Sequence, residues 1–245
     1  MLKGLAVALV LLTAGVSANA ATIAYWHFND TTQLGGSLWR IVPLGILENR
    51  LDYARDLGDG TAEISVWGDD PSDGNLSGTN GSADSTNPSN NFGSYTGTTL
   101  NAQGDAVAGG SLAILGTANN ERYFVIQLDD AITGATLSYA TRGTSTGANT
   151  HTLHYSTDGG QTWTFLESHE AEQTYNWVIH TVALGEIFAN SSGPEKNLLR
   201  MTLTGATSGN GNNRFDNILI TGEIVPEPVT LALLALGLPL ICRRR

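Results

Sequence analysis

The sequence predicts an all-β protein, an antiparallel β-sandwich of jelly-roll type with one long loop rich in Gly, Asp, Ser and Asn. Three observations predict it. Short segments alternate apolar and polar residues with period two and favour β-branched and aromatic side chains. Gly, Asn and Asp punctuate these segments where turns are needed. No long window carries an apolar stripe at helical spacing. Composition agrees, because only 14% of the 245 residues are charged while 29 are glycine, a balance that suits strands and turns. With 41% hydrophobic residues, the chain has ample apolar material for one packed domain.

Taken in order, strands are expected at residues 23–28 and 61–67, and after a gap at 111–115, 122–128, 135–141 and 150–156. Residues 162–167, 177–184, 197–204 and 214–221 complete the set. In 122–128, Tyr123 and Val125 lie on one face and Phe124, Ile126 and Leu128 on the other. Both faces then need cover, which marks a central strand. Short turns of helix are expected only at 184–190 and 45–55.

Residues 68–110 break the rhythm with nine glycines, five aspartates and no Lys or Arg. Such a segment buries too little apolar surface to offset chain entropy, so it reads as a long loop at one end of the sandwich. Asp69, Asp70 and Asp73 bunch three carboxylates within it, a hard-cation preference, but without the spacing of a known calcium loop.

The termini carry addresses. Lys3, the apolar run 5–14 and the small residues Ala18-Asn19-Ala20 have the order of a secretory signal, 1–20. The run is well short of the roughly 20 residues that span a bilayer, so cleavage before Ala21 and export are expected. The domain is then 21–224, and the single cysteine, Cys242, lies outside it, so no disulfide is expected. Between residues 21 and 225 stand 8 basic and 22 acidic residues. A polyanion lacks the basic footprint that phosphate backbones require, which excludes nucleic acid as a partner.

At the other end, Val225, Pro226, Glu227 and Pro228 precede an apolar stretch, 229–242, and then Arg243, Arg244 and Arg245. The arginines would hold the C-terminus in the cytoplasm. This tripartite tail, 225–245, resembles the PEP-CTERM sorting signal of Gram-negative bacteria. The resemblance implies transient insertion in the inner membrane and an exosortase-type membrane protease as partner, cutting near Pro226-Glu227-Pro228. It implies a final place at the cell surface or in the exopolysaccharide matrix.

Ser156-Thr157-Asp158-Gly159-Gly160-Gln161-Thr162-Trp163 matches the Asp-box pattern. Physically this is a hairpin turn: Asp158 accepts turn amides, Gly159 and Gly160 supply positive φ, and Trp163 packs beneath. Ser156, Asp158, Gly160, Thr162 and Trp163 are therefore structural. A single copy excludes a propeller, which needs repeats. Residues 140–164 resemble exported bacterial β-sandwich modules, in which Arg142 would anchor its turn to carbonyl groups. Asn212-Asn213-Arg214-Phe215-Asp216-Asn217-Ile218 resembles the last strand of such modules and of carbohydrate-binding jelly rolls. That likeness implies paired terminal strands and a structural calcium ion (Ca2+) held by Asp216 with Asn29 or Asp30, oxygen ligands of the right kind.

His151 and His154 point to opposite faces of one strand, and His27, His169 and His180 stand isolated in sequence, so zinc is not expected. No nucleophile elbow, zinc-protease helix or phosphate loop is present. Glu121, Glu167, Glu170 and Glu172 are the carboxylates a glycosidase pair would draw on, yet the last three read as a solvated acidic loop. Of the five tryptophans, Trp26, Trp163 and Trp177 are expected in the core, and Trp39 and Trp67, near loop boundaries, are the candidates for glycan contact. The expected protein is a non-catalytic surface or matrix protein, structural or adhesive. The alternatives are a calcium-dependent carbohydrate-binding module and, behind it, a glycoside hydrolase.

Overall fold

A computed structural model describes residues 20–29, 31–35, 38–41, 45–47, 50–67, 96–104, 107–193 and 196–226. Asp30, the acidic trio at 69–73, residues 1–19 and the tail from 227 onward lie outside the described residues, as do the side chains of Trp39 and Trp67.

The chain is all-β: two antiparallel sheets form a sandwich. Its early strands are β1 (Ala21–Trp26), β2 (Thr31–Gly35), β3 (Leu38–Ile41), β4 (Gly45–Leu47), β5 (Arg50–Ala54) and β6 (Ala62–Trp67). Its later strands are β7 (Leu112–Leu115), β8 (Arg122–Leu128), β9 (Ile132–Gly143), β10 (Thr150–Ser156) and β11 (Thr164–Glu170), then β12 (Val178–Gly185), β13 (Asn197–Thr204) and β14 (Asn212–Ile224). One sheet runs β1-β14-β9-β12, with β7 also on β14, and the other runs β11-β10-β13-β8-β6-β5-β4. From β8 onward the chain passes repeatedly from one sheet to the other, which is jelly-roll winding. Among the described residues no helix is long and apolar enough to cross a membrane.

The alternation that predicted the strands also explains their packing. In β13 and β12 every second residue faces inward, so Leu199, Met201 and Leu203 meet Val182 and Leu184 in one core with Phe124, Phe188 and Phe215. Phe124 from β8 and Phe215 from β14 meet edge to face across the two sheets, centroids 5.2 Å apart, a favoured aromatic geometry. Trp26 is buried, as expected, whereas Trp163 and Trp177 are only partly buried and lie outside the core.

Two expectations fail. Within 45–55 the described residues Gly45–Leu47 and Arg50–Ala54 are the strands β4 and β5 instead of a helical turn: pairing of β5 with β6 supplies backbone partners that outweigh local preference. Residues 186–190 are successive turns, with Ile187 N–H donating to Leu184 O and Ala189 N–H to Glu186 O. They do not make a helix.

The terminal strands pair as expected, from Ala21 opposite Gly222 to Trp26 opposite Ile218. β7 takes the same edge of β14 further back, from Phe215 opposite Leu112 to Asn212 opposite Leu115. Between them, Asp216 and Asn217 interrupt the β9–β14 register. Asn217 has a left-handed φ of 48°, a conformation Asn tolerates. The described part of the loop, 96–104 and 107–110, lies against this break.

Candidate functional site

The edge strands β11 and β12 belong to different sheets and lie side by side along one flank of the sandwich. The inward row of β12 is Val178, His180, Val182 and Leu184, with His180 opposite Tyr139 on β9. On β11 the inward residues are Glu167 and His169, opposite Leu153 and His151 of β10. A bulge after Leu153 inserts Leu166, which packs on the core, beside Glu167.

These residues meet. Nε2 of His180 lies 2.6 Å from Oε1 of Glu167, and Nδ1 of His169 lies 3.6 Å from the same oxygen. The rings of His169 and His180 stack at 3.6 Å with 15° between their planes. Among the described residues this is the one cluster of three His, Cys, Asp or Glu side chains whose ligand atoms all lie within 4.8 Å of one another. His169 and His180 are thus not isolated, and Glu167 and Glu170 sit on a strand, not in a solvated loop. The sequence hid this because the contact joins strands that pair with different partners.

A ladder of rings runs inward from the cluster. Tyr139 Oη lies 3.3 Å from Nε2 of His169, His151 meets His169 edge to face at 5.3 Å, and Phe215 lies 5.0 Å from His151. His151 is completely buried, and Nδ2 of Asn213 donates to its Nε2 at 3.2 Å. Burial first, then the neighbouring His169 and His180, lowers the pKa of His151 to about 3. Burial, then His180, lowers that of His169 to about 4 against the opposing pull of Glu167. Both are neutral near pH 7. Burial and Glu167 together raise Tyr139 well above the ordinary phenol value.

Outside the cluster lies an open cleft of about 310 Å³, lined by Thr141, His169, Glu170, Glu172, Val178 and His180. Next to Thr141 on β9, Arg142 lies over the rings of Tyr175 and Trp177, 5.6 and 5.9 Å from their centroids. This cation–π stacking takes the place of the carbonyl anchoring expected of Arg142. Tyr175 is 53% exposed.

A second polar centre gathers at the break in β14. Asp216 is buried, and its carboxylate accepts N–H groups from Thr98 at 2.7 Å and Asn217 at 2.8 Å. Burial, partly offset by those amides, raises its pKa to about 7. Asn217 Nδ2 donates to the carbonyls of Thr98 and Leu100 at 2.7 and 2.8 Å, and its Oδ1 accepts the Tyr25 hydroxyl at 2.5 Å. Asn29 Oδ1 accepts Gly110 N–H at 2.8 Å, and its Nδ2 donates to Val107 O. Asn29 and Asp216 therefore both bind the one segment that crosses between β1 and β7.

The Asp-box hairpin is a structural turn. Asp158 accepts from Thr162 N–H at 2.9 Å and Thr162 Oγ1 at 2.6 Å, and Ser156 Oγ donates to it at 2.7 Å. Gly159 and Gly160 have φ of 74° and 82°. Trp163 carries the guanidinium of Arg200 4.3 Å above its ring. The Thr162 hydroxyl and amide hold Asp158 down at about 2.

No protein-family model matches the sequence, and no characterised relative matches it. Among solved structures it is similar to the K3 cleaved adhesin domain of Lys-gingipain from Porphyromonas gingivalis W83, at 10% identity and a TM-score of 0.41, over 84% of this chain and 100% of that one. It is also similar to a family 29 carbohydrate-binding module, at 9% identity and a TM-score of 0.32, over 47% of this chain and 70% of that one. The CBM22-1–GH10 modules of Clostridium thermocellum xylanase 10B match at 13% identity and a TM-score of 0.34, over 53% of this chain and 24% of that one. At these identities and scores, no ligand or role passes from them to this chain.

Proposed function

We propose that this is an exported, non-catalytic β-sandwich of the cell surface or exopolysaccharide matrix, structural or adhesive in role. One observation carries the reading. Ala21 pairs with Gly222 and Val225 N–H donates to Ala131 O at 2.8 Å, so the signal-like leader and the sorting-like tail leave from the same end of the sandwich. The cleft, Arg142 and the 171–177 loop lie at the other end, where Tyr175 N–H donates to Gly143 O and Ala171 N–H to Asn149 O. Held by its tail, the domain presents that far end outward. Insertion through the tail, its release by an exosortase-type protease and a Gram-negative envelope belong to the same proposal.

A glycan contact at the far end is the second reading, favoured by the exposed ring of Tyr175 beside the acidic cleft. Planar aromatic faces with nearby polar groups suit sugar rings. Affinity electrophoresis in gels cast with host exopolysaccharide tests it: retardation lost in Tyr175→Ala supports it, and unretarded migration of the unaltered chain contradicts it. Calcium at Asp216 and Asn29, with Asp30, is proposed as a structural ion, supported by the way β1 and β14 bring Asn29 and Asp216 onto one segment.

A further inference from the structure

We propose that Glu167, His169 and His180 form a binding site for a divalent transition-metal ion of the zinc class, one that clips the edge strand of one sheet to the edge strand of the other. The site does not rest on the adhesive reading. Its chemistry comes first: two imidazoles and one carboxylate suit zinc, cobalt, nickel or copper, whereas calcium and magnesium prefer oxygen alone. Three protein ligands leave a fourth position for water.

The geometry fits. Zinc bonds of about 2.0–2.2 Å in a tetrahedron set neighbouring ligand atoms roughly 3.3 Å apart. Nδ1 of His169 is already 3.6 Å from Oε1 of Glu167, and all three ligand atoms lie within 4.8 Å of one another. Nδ1 of His169 is buried and accepts no hydrogen bond, while its other nitrogen lies 3.3 Å from the Tyr139 hydroxyl. A metal-bound imidazole uses its second nitrogen for such an outer partner. The backbone under each ligand is fixed by strand pairing: Glu167 opposite Leu153, His169 opposite His151, His180 opposite Tyr139.

Binding changes two things. His180 changes tautomer: the single ring hydrogen of the neutral imidazole, directed from Nε2 at Glu167, shifts to Nδ1, and the freed Nε2 lone pair becomes a ligand. The stacked rings tilt apart so that both lone pairs converge, and the half-exposed flank at the cleft leaves His180 room to swing. The fourth position then faces Thr141, Glu170 and Glu172.

Titration of the full chain, carrying no polyhistidine extension, with Co2+ and then Zn2+ tests this. The expected result is one equivalent of Co2+ with a visible tetrahedral band, displaced by Zn2+ and untouched by excess Ca2+. His169→Ala and His180→Ala should each weaken binding at least about 10-fold, while His154→Ala, on the outer face of β10, leaves it unchanged. No band, or one unaffected by either variant, overturns the site. If either variant fails to fold, X-ray absorption of the zinc-loaded unaltered chain decides: imidazole scattering from two ligands supports the site, and its absence overturns it.

Discussion

His180 on β12 and Glu167 on β11 close the flank of the sandwich through a contact of 2.6 Å between Nε2 and Oε1, joining two sheets that share no backbone bond there. The pair is partly exposed, with side chains 27% and 32% accessible, so water and salt screen it. Glu167→Ala should therefore lower the unfolding free energy by only about 1 kcal/mol in the absence of metal. Urea unfolding at low and high salt checks this, and the loss should shrink at high salt.

Acid should loosen the fold through His151. Its folded pKa of about 3 lies below the unfolded value of about 6.5, so the native state resists a proton that the unfolded chain accepts. The stability it protects is intact above pH 6.5 and falls as pH drops towards 3, at up to about 1.4 kcal/mol per pH unit. His169, lowered to about 4, adds to the same trend. Chemical unfolding across this range should show His151→Leu with a flatter slope than the unaltered chain, whatever its stability at pH 7. Equal slopes would contradict the buried neutral histidine.

Asp216 works in the opposite direction. Its folded pKa is raised to about 7 against about 3.9 unfolded, so its contribution is fully present below pH 3.9 and lost as pH rises through 7. A cation beside it would relieve that loss. Added Ca2+ should raise the melting temperature more at pH 8 than at pH 5, and Asp216→Ala should abolish the effect. Asp216→Ala also frees the amides of Thr98 and Asn217 and should cost about 2 kcal/mol without calcium.

The Arg200–Trp163 stack, 4.3 Å from guanidinium to ring, ties β13 to the Asp-box hairpin. Nε of Arg200 is buried and makes no hydrogen bond, so the ring is a main partner for its charge. A double-mutant cycle of Arg200→Met and Trp163→Leu should return a coupling of about 0.5–1 kcal/mol.

The fold was legible because both sheets obey the simplest rule, alternation on a half-buried surface. Residues 122–128 and 150–156 are strands with the bounds the pattern gives, and the Asp-box turn forms with its expected bonds. The failures are local. In 45–55 the sequence is too short and mixed for periodicity to decide, and pairing with β6 determines its state. The edge cluster was invisible for a different reason. Glu167 and His169 are two apart on β11, a spacing that signals one face, but His180 reaches them only because β12 belongs to the other sheet. The role of Asn217, bonded to Tyr25, Thr98 and Leu100, likewise depends on which segment crosses the break in β14.

The most direct test is the intact mass and cell fraction of the protein in a host with and without its exosortase-type protease. A product beginning at Ala21 and ending between Val225 and Pro228, found at the surface or in the matrix and lost without the protease, is the predicted result. A product that still ends at Arg245 in the inner membrane in both hosts would contradict the surface assignment.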